Sequence, residues 1–257
     1  MVIKTEEIIF KSGSARQVSN KPKTVCEIFC YQPDNIEQMS LGSLYIVAEL
    51  SLVKDCGHLN NLLASLIKRE YYLYPERGAI KSFRSALKKA NAHLADLAKQ
   101  GNPEWLSKLH FICASIAKDE LLFVQTGQPQ AYLARENHLV NLGHRIISDS
   151  GKPHPSKIFS SIVTGKIETG DKIVFATPTL TELLSPNGLK QILNSNQSLL
   201  DVSDQIDKIA REENRIFPLA ILLLKAEDDP PLKQKIHTAQ QPRKFITPPI
   251  DLKEILR

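Results

Sequence analysis

A run of apolar residues at positions 43–52, SLYIVAELSL, is the feature that most constrains the fold. The run is almost continuous and contains β-branched residues, so we expect a strand that is buried on both faces. Residues 58–72 and then 79–100 carry apolar side chains at helical spacing, separated by Pro75 and Gly78. The chain therefore has to pack two long amphipathic helices directly after a buried strand.

The rest of the chain predicts antiparallel strands, a group of shorter helices and a closing strand. We expect strands at 108–117, 120–126, 172–177 and 217–225, a hairpin over 130–142 that turns at Glu136-Asn137, a loop region over 143–165, and helices at 179–185, 188–194 and 202–213. Because the helices are grouped between runs of strands, this order favours an α+β layered fold over a doubly wound parallel sheet. Two stacked sheets with helices outside would cover the apolar strands.

Composition and charge exclude several classes of protein. Apolar residues make up 42% and charged residues 24%, as in ordinary soluble domains. The formal net charge of +5 is spread along the chain, and no basic run is interleaved with aromatic residues, so we expect no binding of nucleic acid. No signal peptide is visible, and no apolar run approaches the roughly 18 residues of a membrane helix. We therefore expect a cytoplasmic protein.

The four cysteines do not predict a disulfide framework in a chain of this length. Cys26 and Cys30 are too widely spaced for a CxxC motif. If residues 24–31 form a strand, both thiols point to one face, as buried thiols commonly do. Cys56 and His58 offer two metal ligands without partners, which is a weak case for a metal site.

The composition changes abruptly at the end of the chain. Residues 227–257 contain five prolines among 31 residues, with mixed charge and little periodicity. We expect a single domain over 1–226, followed by a flexible tail or linker over 227–257. Residues 250–257 are a candidate docking helix.

Several short segments stand at the ends of apolar runs, in an order that resembles one family. In the family a strand ends in V-A-D-G, and Val47-Ala48 match the first two residues of that motif. A following helix of the family contains A-x-x-x-A-N, which ALKKAN at 86–91 matches. The segment GQPQ at 127–130 stands where the family has G-D-S-R, and Tyr132 follows it, as in the family. From about residue 1 to 226 the chain resembles the PPM-type (type 2C) metal-dependent serine/threonine protein phosphatases, as a degenerate, bacterial-like member.

This resemblance implies a fold and a chemistry. The implied fold is a four-layer α-β-β-α sandwich of two antiparallel sheets flanked by helices. The implied chemistry uses two Mg²⁺ or Mn²⁺ ions, bridged by an aspartate, which activate a water molecule that attacks the phosphate.

The metal-ligand positions of the family are largely replaced in this chain. Glu49 stands at the bridging aspartate, and Leu50 replaces the following glycine, where we expect its side chain to crowd the turn. The other replacements are Gln128 in the G-D-S-R segment, Pro178 and Thr179 for Asp-Gly, and Phe217 and Pro218 for Asp-Asn. Glu182 is the one further carboxylate at these landmarks. Two divalent cations at these positions would be neutralised by few negatively charged side chains. We therefore expect no catalytic residue, no bound metal and no cofactor.

The phosphate-binding arginine of the family has only a weak counterpart. Residues 16–20 read RQVSN, out of register with the family's R-x-x-N-x-D and without its acid. Arg16 is a candidate anion contact, and the alternative is a surface arginine in a loop.

Three functions remain open at this point. The first is a catalytically inactive pseudophosphatase with a regulatory or protein-interaction role, whose partner is a protein kinase, a phosphoprotein or a second copy of the chain. The second is an active protein serine/threonine phosphatase with a rebuilt, non-standard metal site that uses Glu49, Glu182 and a loop acid. The third is a domain derived from a membrane-tethered protein, in which 227–257 is the linker.

Overall fold

A computed structural model describes residues 1–10, 23–52, 56–144, 154–194, 197–212 and 218–228, with residues 56 and 57 described by their backbone alone. The ten described strands are β1 (Val2–Phe10), β2 (Lys23–Tyr31), β3 (Ser43–Leu52), β4 (Leu109–Ala117), β5 (Glu120–Thr126), β6 (Gln130–Arg135), β7 (His138–Asn141), β8 (Val163–Lys166), β9 (Lys172–Ala176) and β10 (Leu219–Glu227). The described helices are α1 (Cys56–Tyr72), α2 (Ala79–Lys99), α3 (Leu180–Leu183), α4 (Pro186–Asn194) and α5 (Leu199–Glu212), with 3₁₀ turns at Glu37–Leu41, Pro75–Arg77 and Pro155–Lys157.

The strands form two five-stranded antiparallel sheets. One has the order β1-β10-β9-β6-β7 and the other β2-β3-β4-β5-β8. Helices α1 and α2 pack on the second sheet, and α5 packs against β1 and β10 of the first. The expected α-β-β-α sandwich is confirmed.

Strand β3 shows why its sequence is apolar throughout. Leu44, Ile46, Ala48 and Leu50 belong to the core between the second sheet and the two long helices. Tyr45 and Val47 belong to the core between the two sheets. Because side chains alternate along a strand, covering both faces requires an apolar residue at nearly every position.

The sequence pattern located most elements and missed two edge strands. Strand β3 and the turn at Glu136-Asn137 lie where expected, and both turn residues have positive φ, as a tight hairpin requires. Strand β1 is not predicted, since most of its side chains are exposed or half-buried. Strand β8 begins inside the expected loop region 143–165 and ends just after it; its backbone pairs with β5 while its side chains stay largely exposed, so no apolar pattern indicated it.

The start of β3 requires glycine at position 42. Gly42 has φ 69°, and a Cβ there would lie 2.0 Å from the carbonyl oxygen of Ile116. The hydroxyl of Tyr72, at the end of α1, donates to the Gly42 carbonyl at 2.8 Å. This close approach fixes the turn against β4 and against the end of α1.

None of the helices in the described parts of the chain has the length and apolar character needed to span a membrane.

Candidate functional site

The candidate site lies at one end of the sandwich, where β3 and β9 end and β10 begins. Thr177 connects the two strands of the first sheet there: its backbone N–H donates to the carbonyl of Ala220 at 3.0 Å, and its hydroxyl accepts from the N–H of Ala220 at 3.2 Å. We call this end the site edge and define it by Glu49, His110, Gln128 and Thr177.

Glu49 is the central side chain of the site edge. It continues the alternation of Tyr45 and Val47, so its carboxyl group enters the space between the two sheets, and only 7% of the residue is exposed. The thiol of Cys26, its register partner on β2, donates to Oε2 over 3.6 Å. Thr177 is a second polar group beside the carboxyl group, and it acts to lower the carboxyl pKa.

This environment favours the neutral form of the Glu49 carboxyl group. Burial raises its pKa above the ordinary value and outweighs the effects of Cys26 and Thr177, which act in the opposite direction. The nearby negative charge of Glu182 adds to the increase. Burial, and then the charge of Glu49, raises the pKa of the Cys26 thiol, so the thiol remains protonated and serves as a donor.

His110 is the residue of the site edge that motif spacing missed. It is the register partner of Glu49 on β4. Its Nδ1 accepts the backbone N–H of Gln128 at 3.0 Å, so the neutral ring carries its proton on Nε2. Burial lowers the pKa of His110, which supports the same neutral form. The antiparallel register of β3 and β4 is the signal that would have found it.

The hydrogen bond from the Gln128 N–H to His110 holds the segment around Gln128 close to β4. Gly127 has φ 75°, and a Cβ there would lie 2.4 Å from His110 Nδ1. The side-chain amide of Gln130 donates to the Gln128 carbonyl at 3.2 Å and accepts from the hydroxyl of Tyr132 at 2.9 Å. Gln128 is exposed and contributes its backbone, rather than a carboxylate, to the site edge.

The structure separates Leu50 from the site edge. Leu50 is fully buried in the core under α1 and α2, on the opposite face of β3 from Glu49. Its side chain therefore fills the helix-facing core and does not crowd a metal-proximal turn, contrary to the expectation from the sequence. The change from glycine to leucine is compatible with the strand simply continuing to Leu52.

Pro178 and Thr179 lie at the beginning of α3, where their carbonyl groups accept backbone hydrogen bonds from Thr181 and Glu182. Both residues are half-buried, and Glu182 is exposed on the same short helix. Pro218 is half-buried immediately before β10. Arg16, Phe217 and the loop acid Asp149 lie outside the described residues, as does most of the expected tail over 227–257.

The donor set at the site edge does not fit a pair of divalent ions. Within the described ranges, no group of three or more His, Cys, Asp and Glu side chains has an arrangement that could hold a metal. The Glu49 carboxyl group already accepts a hydrogen bond from Cys26, and Nδ1 of His110 is occupied by a backbone N–H. Hard divalent ions require several anionic or carbonyl oxygens, and Glu49 is the one carboxylate among the four residues that define the site edge.

No family model matches the sequence, and no curated protein matches it either. Solved structures with the same fold are similar over most of the chain. A bacterial serine phosphatase matches with a TM-score of 0.63 and 15% identity, covering 89% of this chain and 100% of its own. PppA, described as a key regulatory component of T6SS in Pseudomonas aeruginosa, matches with a TM-score of 0.60 and 10% identity, over 88% and 98% of the two chains.

A third similar structure bears on the metal. The catalytic domain of the serine/threonine protein phosphatase PstP, in complex with two manganese ions, matches with a TM-score of 0.57 and 12% identity, covering 88% of this chain and 99% of its own. These comparisons confirm the resemblance to the PPM-type phosphatases at the level of the fold. They also contradict the expectation of no metal cofactor, because a protein with this fold binds two manganese ions.

Proposed function

We propose that this protein is a PPM phosphatase-like scaffold that does not hydrolyse phosphate esters and acts through binding to another protein. The observation that carries the proposal is the state of Glu49. Its carboxyl group is buried against Cys26 and Thr177, and its pKa is raised. A carboxylate that bridges two cations has to be ionised, whereas burial here makes ionisation of Glu49 less favourable than in water.

The neighbouring groups support the same conclusion. In a metal-dependent hydrolase, cations lower the pKa of a bound water molecule and stabilise the charge on the transferred phosphoryl group. Gln128 and Pro178 provide no charge at positions where the family places aspartates. The neutral ring of His110 has its Nδ1 engaged by the backbone. The site edge therefore offers few of the charged side chains that such catalysis uses in the family.

The proposed partner is a protein kinase or a phosphoprotein. The structures with this fold include serine/threonine phosphatases, and one of them, PppA, is described as a regulatory component. A scaffold of this shape that retains recognition without turnover would hold a phosphorylated partner instead of releasing it. We expect more partner protein to be captured from untreated cell extract than from extract treated with a phosphatase. Equal capture from both extracts would contradict a phosphorylated partner.

One observation favours the competing function, an active phosphatase with a rebuilt site. Glu182 lies close enough to Glu49 for its charge to raise the pKa of that carboxyl group. Two carboxylates that sense each other's charge can together attract a cation, and a bound cation would reverse the direction of the pKa change.

Phosphate release from p-nitrophenyl phosphate separates these functions. Because a protein with this fold binds two manganese ions, every assay has to contain Mn²⁺. We expect the wild-type protein, Glu49→Ala and Glu182→Ala all to give the rate of the blank. Turnover by the wild type that Glu49→Ala abolishes would contradict the proposal and establish the rebuilt site.

A further inference from the structure

A groove lies far from the site edge, at the other end of the sandwich. It has a volume of about 660 Å³ and runs between the end of β2, the 3₁₀ turn Glu37–Leu41 and the last turns of α1. We call it the distal groove and define it by the lining residues Tyr31, Asp34, Gln38, Lys68, Arg69 and Leu73.

Three exposed apolar side chains, Leu73 in the lining and Ile36 and Met39 in or beside the neighbouring turn, form what we call the apolar rim of the distal groove. Ile36 is 85% exposed and Met39 is 68% exposed, and both lie in or beside the turn that contributes Gln38. The side-chain amide of Gln38 donates to the Tyr72 carbonyl, which holds this turn against the end of α1. Leu73 is also exposed, on the α1 side of the groove. Large apolar side chains grouped in this way mark binding surfaces more often than solitary ones do.

Charged groups line the floor of the groove. Lys68 lies 5.0 Å above the ring of Tyr31 and 3.7 Å from the carboxylate of Asp34. Arg69 is exposed beside it. The groove therefore presents apolar contacts flanked by cations and an acid, which suits a short amphipathic helix.

The described chain ends at the same end of the sandwich as this groove. Ala226, near the end of β10, accepts the N–H of Gly170 at 2.8 Å, and Asp119, between β4 and β5, accepts the N–H of Ile167 at 2.8 Å. The adjoining end of β4 lies against Gly42, which is tied to α1. From Asp228 to residue 250 the chain can reach up to about 70 Å, more than twice the length of a nine-residue strand.

We propose that residues 250–257 of this chain dock as a helix in the distal groove. The segment reads IDLKEILR and places Leu252, Ile255 and Leu256 on one helical face, at i, i+3 and i+4. Those side chains meet the apolar rim, and Glu254 on the neighbouring face meets the cationic side at Lys68 and Arg69. The covalent connection favours this occupant over a free partner, because a tethered segment has an effective concentration of about millimolar.

Photocrosslinking tests this inference on the full chain. A photoreactive amino acid, p-benzoylphenylalanine, replaces Met39, and in a matched control it replaces Val140, which is 51% exposed on β7. An equal mixture of ¹⁴N- and ¹⁵N-labelled protein distinguishes crosslinks within one chain from those between chains. We expect position 39 to crosslink to residues 250–257 of the same chain and position 140 not to do so.

Substitutions in the tail identify the docking segment. We expect the double variant Leu252→Asp, Leu256→Asp to lower the crosslink yield from position 39 by about tenfold. The matched variant Leu232→Asp, Ile236→Asp carries the same chemical change elsewhere in the tail and should leave the yield unchanged. Both pairs follow Glu227, so neither removes a side chain from the described core.

Other results would overturn the inference. Crosslinks from position 39 of which about half are mixed-isotope pairs, as random pairing of two equal populations gives, would assign the groove to a second copy of the chain. An equal yield from positions 39 and 140, or equal losses in the two double variants, would show that 250–257 does not dock there.

Discussion

Replacing Glu49 by glutamine tests whether its carboxyl group is a buried neutral acid. Glutamine keeps the shape of the side chain, and its carbonyl oxygen can still accept from Cys26. Because burial raises the pKa of Glu49 in the folded protein, ionisation at neutral pH lowers the free energy of unfolding. Each unit of pKa increase corresponds to about 1.4 kcal/mol. We therefore expect Glu49→Gln to be more stable than the wild type at neutral pH.

The stability difference between wild type and Glu49→Gln should depend on pH in one direction. Between the ordinary pKa of 4.5 and the higher pKa of the folded protein, the folded state binds more protons at Glu49 than the unfolded state does. The contribution of Glu49 to the free energy of unfolding therefore falls as the pH rises through that window and becomes constant above it. Glutamine does not titrate, so the stability difference between the two proteins is smallest at low pH and grows as the pH increases.

Urea unfolding followed by circular dichroism measures this difference. The series runs from about pH 4 to about pH 8 in the presence of a chelator, so that no cation contributes. Glu182→Gln is the matched control, because Glu182 is exposed and should show only a small change. A loss of stability in Glu49→Gln at neutral pH, or an equal gain in Glu182→Gln, would refute the neutral-acid account of Glu49.

Two further predictions concern the scaffold. We expect Gly42→Ala to lower the free energy of unfolding by about 3 kcal/mol, because the added Cβ would meet the backbone at the end of β4. Gly78 has a similar φ but open space around it, so Gly78→Ala should lower the free energy of unfolding by about 1 kcal/mol. Equal losses in urea unfolding would contradict the steric argument. We also expect Arg135→Ala to cost about 3 kcal/mol, because it leaves the buried carboxylate of Asp171 without the guanidinium that donates to both of its oxygens. The ion pair of Lys99 with Asp96 is exposed, so Lys99→Ala should lower the free energy of unfolding by less than about 1 kcal/mol. A similar loss of stability in Arg135→Ala and Lys99→Ala would refute the role of burial.

The sequence predicted the elements whose pattern follows directly from burial. Strand β3 is covered on both faces, so its apolar run stands out, and α2 carries a buried stripe at helical spacing. Strands β1 and β8 lie at sheet edges, where backbone pairing defines the strand and side chains remain exposed. No apolar pattern is required at such positions, so they were not predicted.

The resemblance indicated Glu49 as a residue of the candidate site but did not indicate its neighbours. Glu49 lies within β3, which continues beyond it to Leu52. His110 and Cys26 join it through antiparallel register with β4 and β2, and Thr177 joins it from the other sheet. Contacts across strands and between sheets depend on register and packing, which residue spacing along the chain does not contain.

The most direct test of the account is the release of phosphate from a phosphothreonine peptide in the presence of excess Mn²⁺. The wild-type chain is compared with Glu49→Gln and with a blank that lacks protein. The account predicts that both proteins release phosphate at the rate of the blank. Release by the wild type that is lost in Glu49→Gln would contradict it and would identify Glu49 as part of a working metal site.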